Sequence, residues 1–352
     1  MPQAPPDQST EAVTKSAERF LATLTAAQRA RVVYSWNDDT QRARWSNFPT
    51  GFVPRGGLSL KDMSEPQKSA AMDLLRTVLS PMGYEKVDAI RMADDDFKAN
   101  GSRRGPRGGG PPPGGVQGPP PPGDPTGRGP PPSGAAMFGG DLYYLSFVGE
   151  PSARTRWMLQ FGGHHLALNI TIAVSEGVMT PSLTGAQPGR FTAGGHTIRP
   201  LGRESDKGLA LVQSLDAGQR KRAVLTYRVA DLVLGPGEDG KKIAPEGLRV
   251  SAMSSRQKAL LMGVMAEWVG IMNDAAATRR LAQLQADLDE TWFAWSGPLT
   301  AEAGTNITAY YRIQGPHVVI EYAPQSDEPA NHVHTIYRDP TNDYGIQFNG
   351  AQ

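Results

Sequence analysis

The 352-residue sequence contains no cysteine. This excludes disulfides, thiolate nucleophiles, Cys-ligated zinc and iron–sulfur clusters, so any metal has to be held by His, carboxylates or backbone oxygen. An excess of one charge is also missing: 36 Lys and Arg against 35 Asp and Glu leave a formal charge of +1. There is thus no global basic field for nucleic acid and no acidic tail. No run approaches the roughly 18 apolar residues of a membrane span. The opening MPQAPPDQST lacks a basic segment followed by an apolar one, so no signal peptide is read there, although a processed exported chain would look the same. A phosphate-cradling GxxxxGK[ST] loop and a GxSxG nucleophile elbow are absent as well. The expected partner is therefore a small-molecule or peptide-like substrate, with no nucleic acid and no membrane span, and oligomeric state is not legible.

Proline and glycine are unevenly spread. Residues 101–135 hold 12 of the 30 prolines and 12 of the 40 glycines, which marks a solvated, polyproline-rich insert. It reads either as a tolerated surface insertion or as an arm that docks on an aromatic groove or an anionic surface.

Outside the insert one short pattern occurs four times: Thr25-Ala-Ala-Gln28, Ser64-Glu-Pro-Gln67, Asp216-Ala-Gly-Gln219 and Ser254-Ser-Arg-Gln257. Each is a capping box, in which the first side chain accepts from the N3 amide and the Gln reaches back to the N-cap amide. Gln28 to Gln67 spans 39 residues and Gln219 to Gln257 spans 38, and the two pairs lie 191 and 190 residues apart. Nearly equal offsets point to an internal duplication. The apolar segments Trp157 to Leu168 and Tyr310 to Glu321 also superpose, with Gly162 on Gly315 and His164 on His317.

The expected architecture is α+β: two duplicated halves, each a helix pair followed by mostly antiparallel strands, related by a pseudo-twofold axis. The first half covers 10–180, a connector 181–203, and the second half 204–352, and together they are expected to make one compact unit. Helices are expected near 10–34, 64–79 and 82–98 and strands near 141–149, 155–162, 165–174 and 177–180. In the second half helices fall near 204–230, 254–272 and 274–290, and strands near 291–296, 306–314, 317–323 and 332–338.

Five of the six histidines, His164, His165, His317, His332 and His334, lie in the duplicated β segments. His332 and His334 are two apart, so on a strand their rings share one face about 6–7 Å apart. His164 and His165 point oppositely on a regular strand, unless Gly162-Gly163 ends it in a turn. Either one, added to His332 and His334, makes a three-His site with an open position for water or substrate. The competing readings are a Gly-Gly-His-His turn bonded to its own backbone and a solvated His332-Val-His334 face. All-nitrogen ligation suits zinc or copper, or iron, more than magnesium or calcium. Glu321, Arg338 and Asp339 are the candidate catalytic groups, as general base and anion clamp, while Arg338-Asp339 equally reads as an ion pair ahead of a turn. Gln160, Asn169 and His317 are candidates to orient the ligands.

These residues resemble the uncharacterised family DUF3500. The resemblance runs through Leu60-Lys-Asp-Met-Ser64-Glu-Pro-Gln67, Leu79-Ser-Pro-Met-Gly83-Tyr84, Gly163-His164-His165, Thr180-Pro181, His332-Val-His334-Thr335, Arg338-Asp339-Pro340 and Asp343-Tyr344-Gly345. It implies that the HH and HxH motifs are hallmarks and that exported members are common, and it brings no function. The expected function is a metal-dependent enzyme working through activated water, with a copper- or iron-dependent oxidoreductase and a non-catalytic metal-carrying or interaction protein as the alternatives.

Deleting residues 103–133 is expected to leave the thermal midpoint within a few degrees, because loop length changes closure entropy only slowly. A large drop in calorimetry would show that the segment packs on the body.

Overall fold

All four capping boxes form. In the computed structural model, which describes residues 8–101 and 134–350, Thr25 opens α2 (Ala26–Val32) and Ser64 opens α4 (Glu65–Val78). Asp216 opens α7 (Ala217–Ala223) and Ser254 opens α8 (Ser255–Val269). The glutamines do more than cap. Gln67 Nε2 donates to Gln28 Oε1 at 3.0 Å and to Thr23 O at 3.0 Å, just past α1 (Gln8–Ala22). Gln257 Nε2 donates to Gln219 Oε1 at 2.8 Å and to Ser214 O at 2.9 Å, at the end of α6 (Gly202–Ser214). A motif that is local in sequence thus docks successive helices by satisfying an orphan C-terminal carbonyl. The remaining helices are α3 (Asp39–Arg42), α5 (Pro81–Asp96) and α9 (Asp274–Ala286).

The strands of the first part are β1 (Val33–Tyr34), β2 (Leu58–Ser59), β3 (Tyr144–Val148), β4 (Trp157–Gly163), β5 (Leu166–Ala173), β6 (Glu176–Val178) and β7 (Ser182–Ala186). After the hairpin β8 (Phe191–Ala193) and β9 (His196–Ile198) come β10 (Leu248–Arg249), β11 (Trp292–Ser296), β12 (Tyr310–Gly315), β13 (Val318–Pro324) and β14 (Val333–Arg338). Twelve of them form one sheet in the order β1-β3-β4-β5-β7-β14-β13-β12-β11-β10, with β2 and β6 paired beside that path. Among the described strand pairs only β1 and β3 run parallel. The protein is therefore mixed α and β with a large, mostly antiparallel sheet. The joint at its middle is β7 with β14, in register Thr184 to Thr335, and the two hydroxyls bond at 2.7 Å.

Alternation along the strands separates two faces. Leu159, Phe161, Leu168, Ile170 and Ile172 join Phe20, Leu74, Leu75 and Val78 of the helices in the main core. On the other face Ala167, Leu183 and Ile336 pack under Trp45, Leu232 and Tyr344, which come from irregular segments and from the region after β14.

Three expected boundaries change. The helix expected over 10–34 is α1 and α2, separated at the Thr25 cap, with β1 at its end. The supposed connector 181–203 contains β7, a fully buried strand, because the edges of β5 and β14 both need hydrogen-bond partners. Its Gly185 and short length hid the strand period. The helix expected over 204–230 is two helices ending at Ala223, and 224–247 runs as a cover over the sheet. Val233 N and Leu234 N there donate to the buried Glu321 carboxylate at 3.0 and 2.8 Å, bonds that a helix would have directed to its own carbonyls.

Across the helical layer, the buried Lys86 of α5 bonds Glu204 of α6 and donates to Glu267 O of α8 at 2.9 Å. Replacing it with Met leaves the buried Glu204 carboxylate without its cation, while Glu267 keeps Lys207. Lys86→Met is therefore expected to cost about 3–5 kcal/mol, measurable by denaturant unfolding.

Candidate metal centre

The centre starts from a two-residue hairpin loop. His164 and His165 join β4 to β5, and His165 sits in the left-handed region with φ of 60°. Gly162 and Gly163 end the strand, as the alternative reading of the HH pair required, but the turn itself is His164-His165. Both lie in β4, and a Cβ would come within 2.5 Å of Leu166 O at the first and 2.7 Å of Leu142 O at the second. The unfavourable backbone of His165 costs about 1–3 kcal/mol and is held on three sides. His165 N donates to Asn47 O at 3.1 Å, Gly185 N donates to His165 O at 2.7 Å, and Tyr143 OH donates to His164 O at 2.7 Å.

This geometry sends the two rings to different partners. They stack with centroids 3.7 Å apart, yet His164 Nδ1 bonds the buried Asp94 of α5 at 2.6 Å, whereas His165 Nε2 lies 3.1 Å from His332 Nε2. His332 Nε2 is in turn 3.1 Å from His334 Nε2. Strand alternation works as expected: His334 of β14 and His332 just before it present their rings to one region, with centroids 4.8 Å apart. The group is therefore His165, His332 and His334, whose nitrogens all lie within 4.8 Å of one another; His164 is not a member. Two nitrogens bound to one ion at about 2.0–2.1 Å with tetrahedral spacing stand about 3.3 Å apart, close to the 3.1 Å of the His165–His332 and His332–His334 pairs.

Two aspartates set the tautomers. His332 Nδ1 faces Asp327 at 3.0 Å and His334 Nδ1 faces Asp231 at 3.4 Å. With each Nδ1–H donated to a carboxylate, both Nε2 atoms carry lone pairs that point at each other across 3.1 Å. A cation between them removes that repulsion, and imidazole backed by carboxylate is the usual arrangement at metal-bound His. Burial, reinforced by His164, His332 and His334, holds His165 well below 6.5. Burial also lowers His334, outweighing the opposing pull of Asp231. The hydrogen bond from His332 lowers Asp327 to about 2. Asp231 is lowered too, since the contacts from His334 outweigh its burial. Both aspartates are half-exposed and His332 is partly so, so the edge of the group at His332 and these carboxylates faces solvent and is its open side. Neutral nitrogen donors with an open side can hold zinc, copper or iron.

The other expected site residues lie apart from this triad. Glu321 is fully buried, bonded to Tyr310 OH, Val233 N and Leu234 N, and burial raises its pKa. Arg338 donates to Leu234 O, Gly235 O, Asp239 and Asp343, all at 2.7–3.0 Å. Asp339 pairs with Arg280 at 2.8 Å. These three secure the cover segment and the end of β14, so their charges are already satisfied. Gln160 and Asn169 form a chain from Gln41 to Pro181 O with bonds of 2.8–2.9 Å, and contact no imidazole. His317 bonds Thr341 at the far end of β14, 3.8 Å from Asp287.

Asn47, Asp231 and Asp327 were missed. Asp327 had a weak signal, an acidic residue five positions before His332, whereas Asn47 and Asp231 arrive from segments with no periodic pattern. Asn47 Nδ2 lies 3.4 Å from both ring nitrogens of His334.

The chain belongs to the DUF3500 family. The family model, described as "Protein of unknown function (DUF3500)", matches residues 6–346, which takes in the whole triad. No curated protein and no solved structure matches the chain. In this DUF3500 chain the GGHH motif thus contributes one ligand candidate and one Asp-paired ring, and the HxH motif contributes two ligand candidates.

A pH dependence follows. In the metal-free fold His165 stays unprotonated below 6.5, while the unfolded chain takes up a proton there, so stability rises with pH across that range. Wild-type protein is expected to lose stability as pH falls below about 6.5, and His165→Gln to lose less, in urea unfolding at pH 5.5 and 7.5. Equal slopes would contradict the burial of a neutral imidazole.

Proposed function

We propose that this DUF3500 protein is a metal-dependent enzyme in which the Nε2 atoms of His165, His332 and His334 hold one ion, zinc in the first instance. The observation that carries the reading is the convergence of those nitrogens with Asp327 and Asp231 behind two of them. Three protein ligands and an open side match catalytic rather than structural zinc sites. Zinc in such a site supplies a bound water of pKa near 7 and polarises a carbonyl oxygen, which fits hydrolysis of a small or peptide-like substrate. The residues do the rest: the aspartates hold the imidazoles in the ligating tautomer, and the loop strain at His165 aims the third ring.

The two-half organisation belongs to this proposal. The reading is that an ancestral unit of helices followed by strands was duplicated, with first half 10–180 and second half 204–352 related by a pseudo-twofold axis near β7 and β14. Supporting it are the matched glutamine pairs Gln28–Gln67 and Gln219–Gln257 and the matched His–Asp pairs, His164–Asp94 and His317–Asp287. The centre then arises at the seam, with one ligand from the first half and two from the second.

Elemental analysis of untagged protein tests the proposal. About one zinc per chain is expected, and His332→Ala should lose it while keeping the fold, since an open site contributes less to folding than a closed one. Copper or iron in its place would favour the oxidoreductase reading. A protein that neither contains nor takes up metal would sink it.

A further inference from the structure

We infer that the Asn47 side chain is the hydrogen-bond donor that positions an oxygen ligand at the open side of this centre, so that the substrate presents a carbonyl or carboxylate oxygen to the metal. The inference rests on the metal centre proposed above. Asn47 is buried, and among the described residues its amide nitrogen has no hydrogen-bond acceptor nearer than the two nitrogens of His334, both at 3.4 Å. Neither is a good acceptor. Nδ1 is committed to Asp231, and the Nε2 lone pair lies in the ring plane toward His332. An atom equally far from both nitrogens cannot lie along either lone pair, so the amide sits against the ring without a proper hydrogen bond. Leaving a buried amide donor under-satisfied is costly, unless a ligand completes it.

The side chain is also held still, as positioning requires. Arg55 Nη2 donates to Ser46 O at 2.8 Å and Phe48 O at 2.6 Å, the carbonyls on either side of Asn47. The same nitrogen donates to Gly163 O at 3.0 Å, immediately before the His164-His165 turn. Asn47 O itself accepts from His165 N. One guanidinium thus locks the Asn47 backbone to the loop that carries a ligand, and the backbone makes these bonds without help from the amide. A fixed N–H beside a metal-bound oxygen is the arrangement that stabilises developing negative charge in carbonyl chemistry.

The test uses untagged full-length protein loaded with cobalt(II), whose visible bands report both metal uptake and a change of ligand, with acetate as the oxygen-donor probe. Wild type should bind acetate saturably. Asn47→Ala should bind cobalt as wild type does but acetate about tenfold more weakly or worse, as expected for a hydrogen bond to a charged group. Asn47→Asp, nearly isosteric and safe if the alanine variant misfolds, should hold cobalt and lose acetate through charge repulsion. Unchanged acetate affinity in both variants, or cobalt affinity that falls in parallel with acetate, overturns the inference and leaves the metal centre standing. Failure of the wild type to take up cobalt overturns both.

Discussion

The centre depends on the pairing of β7 with β14. That ladder places Gly185 opposite His334, and Gly185 N also donates to His165 O, so one residue touches the strand with two candidate ligands and the turn with the third. A side chain is hardly accommodated there: a Cβ on Gly185 would stand 2.9 Å from Val333 O and 3.3 Å from the His165 Cβ. Register is equally restrictive. A slip of one residue would turn His334 to the helical face and replace it with Val333 or Thr335. The neighbouring bond of Thr184 to Thr335, with Trp268 Nε1 donating to the same threonine at 3.0 Å, anchors the register from the helical side.

Electrostatics then decides what the three rings are. Buried imidazoles this close cannot all be charged, and burial pushes His165 and His334 toward the neutral form. Neutral rings without fixed tautomers would hydrogen-bond to each other. Between His332 and His334, Asp327 and Asp231 prevent this by claiming their Nδ1 hydrogens. His164 goes the other way: its ring stacks on His165 but its Nδ1 is bound by Asp94, so the first His of the motif supports the site instead of joining it.

The irregular segments over the sheet are tied down by buried polar groups rather than by apolar contact alone. Arg55 gathers four carbonyls, Glu321 receives two amides of the 224–247 segment, and Arg338 binds two of its carbonyls. Such backbone, lacking a ladder of its own, needs partners for its donors and acceptors. The residues that reach the triad from outside the sheet, Asn47 and Asp231, sit in these two segments and inherit their fixed positions.

The sequence by itself determined the local features. Capping boxes are set by side chains three residues apart, and they formed as read. The same holds for the faces shared by His332 and His334, whose spacing matches the strand period, for the main helix and strand runs, and for the family. Only the tertiary structure decided which of His164 and His165 joins the HxH pair, because that follows from a positive φ enforced by Asn47, Gly185 and Tyr143, all distant in sequence from the turn or unmarked by it. It also decided that Glu321, Arg338 and Asp339 spend their charge on backbone and ion pairs, and that Asp231 and Asp327 do the work beside the imidazoles. Periodicity and capping are short-range consequences of backbone geometry, whereas a cluster of side chains is made by strand register and by covering segments, whose partners no local pattern names.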